Sequence, residues 1–254
     1  MPAEIRAKSH LGNDLSLPPG FSLVTLREVG DAFAYAKDHA AELGAGTLVF
    51  VGRFDLSEFA VVLEPDEPLR TARRAFYAGM SALADTLAAH APPERPIDFI
   101  WPDAIRVDGA MVGGGQFAWS DGPDDQPPEW MVFGAMIRTV SMADGDPGLR
   151  PLASALEEEG FDSLESGQIA ESFARHLMTA VDRWQERGFD AIAEDYLARL
   201  MPEGLPPEKG ISRRIADNGD LLIRRAGKTE IERRALIPAL AKPSWLDPVS
   251  RVPL

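Results

Sequence analysis

The residues with most chemical character gather in one stretch. Ile100-Trp101-Pro102-Asp103 is followed by Arg106 and then, past an Asp108-Gly109 turn, by the run Gly113-Gly114-Gly115. An indole face, a carboxylate and a guanidinium close together can line a pocket, and glycines in a strand let backbone approach a flat ligand. The same residues have a purely structural reading, with Trp101 as a core anchor, Asp103 capping the next turn and the glycines forming a β-bulge. Arg53, Arg106 and Arg138 could hold an anion; in an acidic chain they could equally pair with Asp or Glu.

Composition narrows the chemistry further. The 254 residues carry 40 acidic and 26 basic side chains, a net charge of -14 that repels a phosphate backbone, so nucleic acid is not an expected partner. With zero cysteines there is no disulfide, no thiolate nucleophile and no thiolate metal site. His10, His39, His90 and His176 show no paired spacing, and no metal site is expected. Glu157-Glu158-Glu159 reads as a solvated helix end or a partner-facing charge run. No apolar run approaches the roughly 18 residues of a membrane span and no apolar leader opens the chain, so a cytoplasmic protein without a membrane partner is expected.

Alternation of apolar and polar residues predicts strands over 21–29, 47–51, 59–63, 97–101, 104–107, 114–119 and 130–139. Asp31 can cap a helix bearing Phe33, Ala36, Ala40 and Leu43, ended by Gly44 to Gly46. Pro68 suits the first turn of a helix that carries Leu69, Ala72, Phe76, Met80, Leu83 and Leu87 up to His90. Ser166 can cap another with Ile169, Phe173, Leu177, Val181 and Trp184, and Gly188 separates it from one with Phe189, Ile192, Tyr196 and Leu200. Residues 202–210 have the proline and glycine content of a linker. Beyond them, strands over 211–215 and 221–225 flank an Asn218-Gly219 hairpin signal and 229–233 supplies a third. Arg224-Arg225 and Arg233-Arg234 read as a solvated strand edge or as a basic face for an acidic partner. Disorder is expected only at 1–14 and in the last few residues.

The order of these elements, together with Ile100-Trp-Pro-Asp-Ala-Ile-Arg-Val-Asp-Gly-Ala-Met-Val-Gly-Gly114, resembles the biotin/lipoate A/B protein ligase family. In the biotin protein ligases a lysine-tryptophan-proline segment is likewise followed by a short hairpin and a glycine-bearing strand. The resemblance extends from the helix at 31–43 through the strand pair at 47–63, the strand at 132–139 and the helical segment at 156–200. It ends in a hairpin similar to the SH3-like barrel appended to many biotin ligases. It implies an α+β fold of the class II aminoacyl-tRNA-synthetase and biotin-ligase kind, a mixed sheet flanked by helices, with a small all-β SH3-like domain at the C-terminal side. The implied division is a flexible 1–17, a ligase-like 18–204 and a small β domain over 205–254.

By that resemblance the ligand is biotin, lipoate or an acyl-adenylate made with ATP. The partner is an acyl-carrier (biotinyl or lipoyl) domain, and pairing into a homodimer is implied. The binding positions carried over are Arg53, Trp101, Pro102, Asp103, Arg106, Gly113, Gly114, Gly115 and Arg138, with no catalytic residue assigned. The chain departs from the pattern where the family stabilises the developing anion. The lysine before the tryptophan is Ile100, no lysine occurs between Lys37 and Lys209, and the long arginine-rich nucleotide loop shrinks to Gly52-Arg53-Phe54. The serine-threonine-asparagine before the first helix reads Gly30-Asp31-Ala32, and the asparagine ending the later strand reads Arg138. The expectation is a catalytically altered or inactive ligase-like protein that keeps a binding cleft. Its alternatives are an active ligase using arginines and a scaffold that binds no ligand.

Overall fold

The computed structural model describes residues 15–142, 152–162, 164–202 and 209–254. Its centre is a seven-stranded mixed sheet in the order β1-β2-β3-β7-β6-β5-β4. The strands are β1 (Ser22–Leu26), β2 (Thr47–Gly52), β3 (Leu56–Leu63), β4 (Ile97–Ile100), β5 (Ala104–Val107), β6 (Ala110–Trp119) and β7 (Met131–Arg138). Only β1 and β2 run parallel, because the helix α1 (Ala32–Leu43) connects them by a crossover; every other pair is antiparallel.

The period-two alternation of the strands sorts side chains onto two faces. Leu48 and Phe50 of β2 and Phe59 and Val61 of β3 enter the larger core, under α3 (Ala75–His90), α4 (Ser166–Arg187) and α5 (Phe189–Arg199). Val49, Val51, Ala60 and Val62 point the other way, onto Ala32, Ala36 and Ala40 of α1. Asp31 caps α1 as expected, accepting from the Ala34 N–H at 2.8 Å, while α4 is capped one residue earlier than expected, by Glu165 in a capping box with Gln168.

The helix expected to run unbroken from Pro68 to His90 is divided into α2 (Leu69–Ala72) and α3. At the junction the backbone tightens to three-residue bonds, Phe76 N–H to Arg73 and Tyr77 N–H to Arg74. Arg73 is drawn to Asp124 and lies over the Trp119 ring, whereas Arg74 reaches Glu67 and the Phe189 ring. Periodicity does not register this divergence, since both helices keep the same apolar face.

A second sheet follows, β8 (Ile211–Ile215), β9 (Leu221–Arg225) and β10 (Ile231–Arg234), antiparallel in the order β10-β9-β8. Ile215, Leu221 and Ile223 pack into the larger core together with Leu236 of the short helix α6 (Leu236–Leu240). The adjacent arginines read as a solvated strand edge or a basic face are divided by the strand alternation. Arg225 and Arg234 both pair with Glu232, while Arg224 and Arg233 lie on the exposed side. The architecture is therefore the expected mixed sheet flanked by helices with a small SH3-like β-unit. The expectation for 1–14 and most of the linker at 202–210 lie outside the described residues. Among the described residues no helix is long and apolar enough to cross a membrane.

The final residues overturn their expectation. Instead of being disordered, residues 243–254 fold back against the sheet, with Trp245 wholly buried. The physical reason is a single indole with a site to fill; a short segment interrupted by prolines leaves no periodic signature.

Candidate functional site

The expected binding residues divide between the two faces of the sheet. On the α1 side, a Cβ at Gly134 would stand 2.7 Å from the Phe33 ring, and Met136 joins Leu56, Ala104 and Trp245 in a small apolar cluster. Gly114 belongs to this face, since a Cβ there would meet the Trp245 indole at 2.4 Å. Gly115 faces the other way, where a Cβ would stand 2.6 Å from the Met80 sulfur of α3. Gly113 has φ +150 and would place a Cβ 2.0 Å from the Met136 carbonyl oxygen. The close approaches these glycines permit are thus to strand β7, to α3 and to Trp245.

Trp101 lies against the larger core, its N–H donating to the Tyr77 hydroxyl at 3.3 Å. That hydroxyl donates in turn to the Gly219 carbonyl at 2.6 Å, tying the β4–β5 turn to the β8–β9 hairpin. The Trp101–Pro102 peptide is cis, and the Pro102 carbonyl accepts from the Tyr196 hydroxyl at 2.8 Å. Arg106 reaches the Met201 sulfur at 3.5 Å, away from the glycine strand, and its buried Nε has no hydrogen-bond partner among the described residues.

Asp103 is wholly buried beneath the folded-back segment. Its carboxylate accepts from the Ser244 hydroxyl at 2.8 Å and the Ser244 N–H at 3.2 Å. Burial outweighs these bonds and pushes its pKa up from 3.8 to about 6. The Trp245 indole N–H donates to the Gly115 carbonyl at 3.2 Å. Arg138, at the end of β7, donates to the carbonyls of Pro253 and Leu254. Arg251 closes the contact on Asp31, at the start of α1, at 2.7 Å. Beside Arg138 a cavity of about 240 Å³ opens between Leu56, Ser141, Val252 and Leu254.

Arg53 forms a two-point pair with Asp55, at 2.6 and 3.0 Å, which holds the Asp55 carboxyl below and the guanidinium above their ordinary values. Glu58, a residue with no motif to mark it, is buried on β3 and accepts the Ala32 N–H at 2.8 Å. Burial raises its pKa, the neighbouring Asp31 raises it further, and Arg53 and Arg251 pull it back. Two of the N–H groups opening α1, those of Ala32 and Ala34, are therefore already satisfied by the carboxylates of Glu58 and Asp31, where a helix start otherwise favours an incoming anion.

The fold thus brings Asp103, Gly114 and Arg138 beneath one covering segment, with Arg53 close by; Trp101 and Gly115 turn to the opposite face and Arg106 to the edge. Ile100, the position of the missing lysine, packs against the cluster of Leu56, Ala104, Met136 and Trp245. Ser244, Trp245, Arg251 and Glu58 were not legible as site residues. Among the described residues no group of acidic or histidine side chains could hold a metal ion.

A seven-stranded mixed sheet with helices on both faces and a trailing three-stranded β-unit is the architecture of biotin-ligase-type proteins. The profile of the Biotin/lipoate A/B protein ligase family matches residues 17–198, and the chain belongs to that family. Among solved structures it is similar to a biotin protein ligase-like protein of unknown function from Silicibacter sp. TM1040, at 25% identity and a TM-score of 0.72, over 89% of this chain and 98% of that one. The biotin protein ligase of Aquifex aeolicus shares the fold at 14% identity and a TM-score of 0.62, over 85% and 99% of the two chains. That of Leishmania major, solved with biotinyl-5-AMP, does so at 15% identity and 0.51, over 86% and 99%. No curated protein sequence matches.

Proposed function

We propose that this chain is a non-adenylating member of its family, which binds a small acyl acid of the biotin or lipoate kind, or that group carried on an acyl-carrier domain, without activating it. The observation that carries this reading is Ile100, which packs in an apolar cluster where the ligases place the ammonium that stabilises adenylate formation. The other cations fit the same reading. Arg53 is engaged by Asp55, Arg251 by Asp31, and Arg138 by two backbone carbonyls. An adenylate does not fit these residues, because the turn at Gly52-Arg53-Phe54 is too short to enclose it and Arg53 is held by Asp55.

ATP–pyrophosphate exchange measured with biotin, lipoate and octanoate tests the reading directly. The expected result is no exchange above a protein-free control, together with a rise in melting temperature with at least one of the three acids. Sustained exchange sinks it. The second reading, a scaffold that binds no small ligand, is favoured by the complete burial of Trp245 over the glycine strand. It takes over if none of the three acids shifts the melting temperature.

A further inference from the structure

We infer that residues 243–254 form a detachable strap, an internal occupant that regulates access to the Gly114 face and must leave before that face can take a ligand. This rests on the reading that the face binds something.

The argument begins with where the segment is anchored. Leu236 and Leu240 of α6 belong to the larger core, on the face of the sheet covered by α3, α4 and α5. Past Ala241 the chain crosses to the other face, where Trp245 sits in a separate cluster whose other buried members among the described residues are Leu56, Ala104 and Met136. Loss of Trp245 from its seat therefore leaves α6 and the β8–β10 sheet in place.

The strap also holds its own shape. Leu246 and Pro253 form a bridge, and the Leu254 N–H donates to the Trp245 carbonyl at 2.8 Å. The Asp247 N–H donates to Val252 at 3.0 Å, and the Asp247 carboxylate accepts the N–H groups of Val249 and Ser250 at 2.9 and 2.7 Å. Because these bonds are internal, they survive lifting, and the backbone groups released from the body, the Ser244 N–H and the Pro253 and Leu254 carbonyls, pass to water. Among the described residues its bonds to the body are few. They run from Ser244 to Asp103, from Trp245 to Gly115, from Arg138 to Pro253 and Leu254, and from Arg251 to Asp31. Val249, at 90% exposed, adds no burial.

What the strap covers is the part of the sheet that a flat ligand would need. The indole lies on Gly114, and Ser244 occupies Asp103. A ligand and Trp245 cannot share Gly114, so binding and strap release are linked, and any acid that binds there selects the open form.

The chain contains no cysteine, so an introduced thiol reports opening without background. Met136→Cys places one under the strap and Leu83→Cys places one in the larger core. In native buffer the Met136→Cys thiol should be labelled by a soluble thiol reagent at least about tenfold faster than the Leu83→Cys thiol, since only local opening is needed. Adding Trp245→Ala should accelerate the first and leave the second unchanged. Equal labelling of the two sites, or equal acceleration of both by Trp245→Ala, overturns the strap and makes Trp245 an ordinary anchor. Binding of octanoate, lipoate and biotin separates this from the functional reading. Binding about tenfold or more tighter to Trp245→Ala supports the strap, and equal binding to both chains overturns it. If neither chain binds any of the three, the ligand reading falls, and the labelling rates alone decide the strap.

Discussion

The Trp245 indole is seated so closely on Gly114 that a Cβ at residue 114 would stand 2.4 Å from its Cδ1 and Nε1, and 2.1 Å from the Asp103 carbonyl oxygen. No side chain fits between β6 and the folded-back segment, so glycine is required there by packing. Gly114→Ala is expected to cost about 2–3 kcal/mol in urea unfolding, the usual penalty for forcing a rigid contact. Gly122→Ala, at a site with nothing within 4 Å, should change stability by less than about 0.5 kcal/mol. Equal, small effects at both positions would mean that the indole does not rest on the glycine.

Asp103 makes stability depend on pH in a definite direction. Its folded pKa is raised from 3.8 to about 6, so the folded chain holds the proton more tightly than the unfolded one. The contribution is complete below about 4 and is lost as the pH rises through about 6, a change on the order of 3 kcal/mol at most. Glu58 is raised too and slopes the same way, so the comparison needs Asp103→Asn, which removes only one of the two. Melting temperatures of the parent chain should fall more steeply than those of Asp103→Asn between pH 4.5 and 7.5, ranges chosen to bracket the titration. Superimposable profiles would place Asp103 in a solvated setting.

Tyr77 links the β4–β5 turn to the β8–β9 hairpin through one hydroxyl, accepting from Trp101 and donating to Gly219. Tyr77→Phe leaves a half-buried indole N–H and a buried carbonyl without their partner, and should cost about 1–3 kcal/mol. If chemical unfolding shows no loss, water or another donor replaces the hydroxyl and the link carries nothing.

How much of this was legible depends on whether the signal was local. Alternation gave the strands, and Ala104–Val107, Ile211–Ile215 and Leu221–Arg225 match their expected bounds because turn residues bracket them. The division between α2 and α3 escaped because Arg73 and Arg74 are pulled apart by Asp124 and Phe189, partners distant in sequence. At the site, Ile100 was informative because a missing ammonium is visible as a residue type. Trp245 was not, since its partner Gly114 lies far away in the chain and nothing near it carries a period. Glu58 sits in a strand where a buried carboxylate looks like any outward polar residue, and only the Ala32 N–H shows its role.

The Ile100 position allows a direct test of whether one residue separates this chain from an adenylating enzyme. A lysine there would extend into the cluster of Leu56, Ala104, Met136 and Trp245, with the nearby Asp103 carboxylate already taken by Ser244. Burial disfavours its charged form, so Ile100→Lys should lower stability by about 1–3 kcal/mol and carry a depressed ammonium pKa. It should gain no ATP–pyrophosphate exchange, because the turn at Gly52-Arg53-Phe54 still cannot enclose a nucleotide and Arg53 stays on Asp55. Adding Trp245→Ala clears the indole from the lysine's path yet leaves that turn unchanged, so the double variant should bind acyl acids without turning over ATP. Exchange appearing in either variant would show that the ammonium alone was missing, and that the short turn is no barrier to the adenylate.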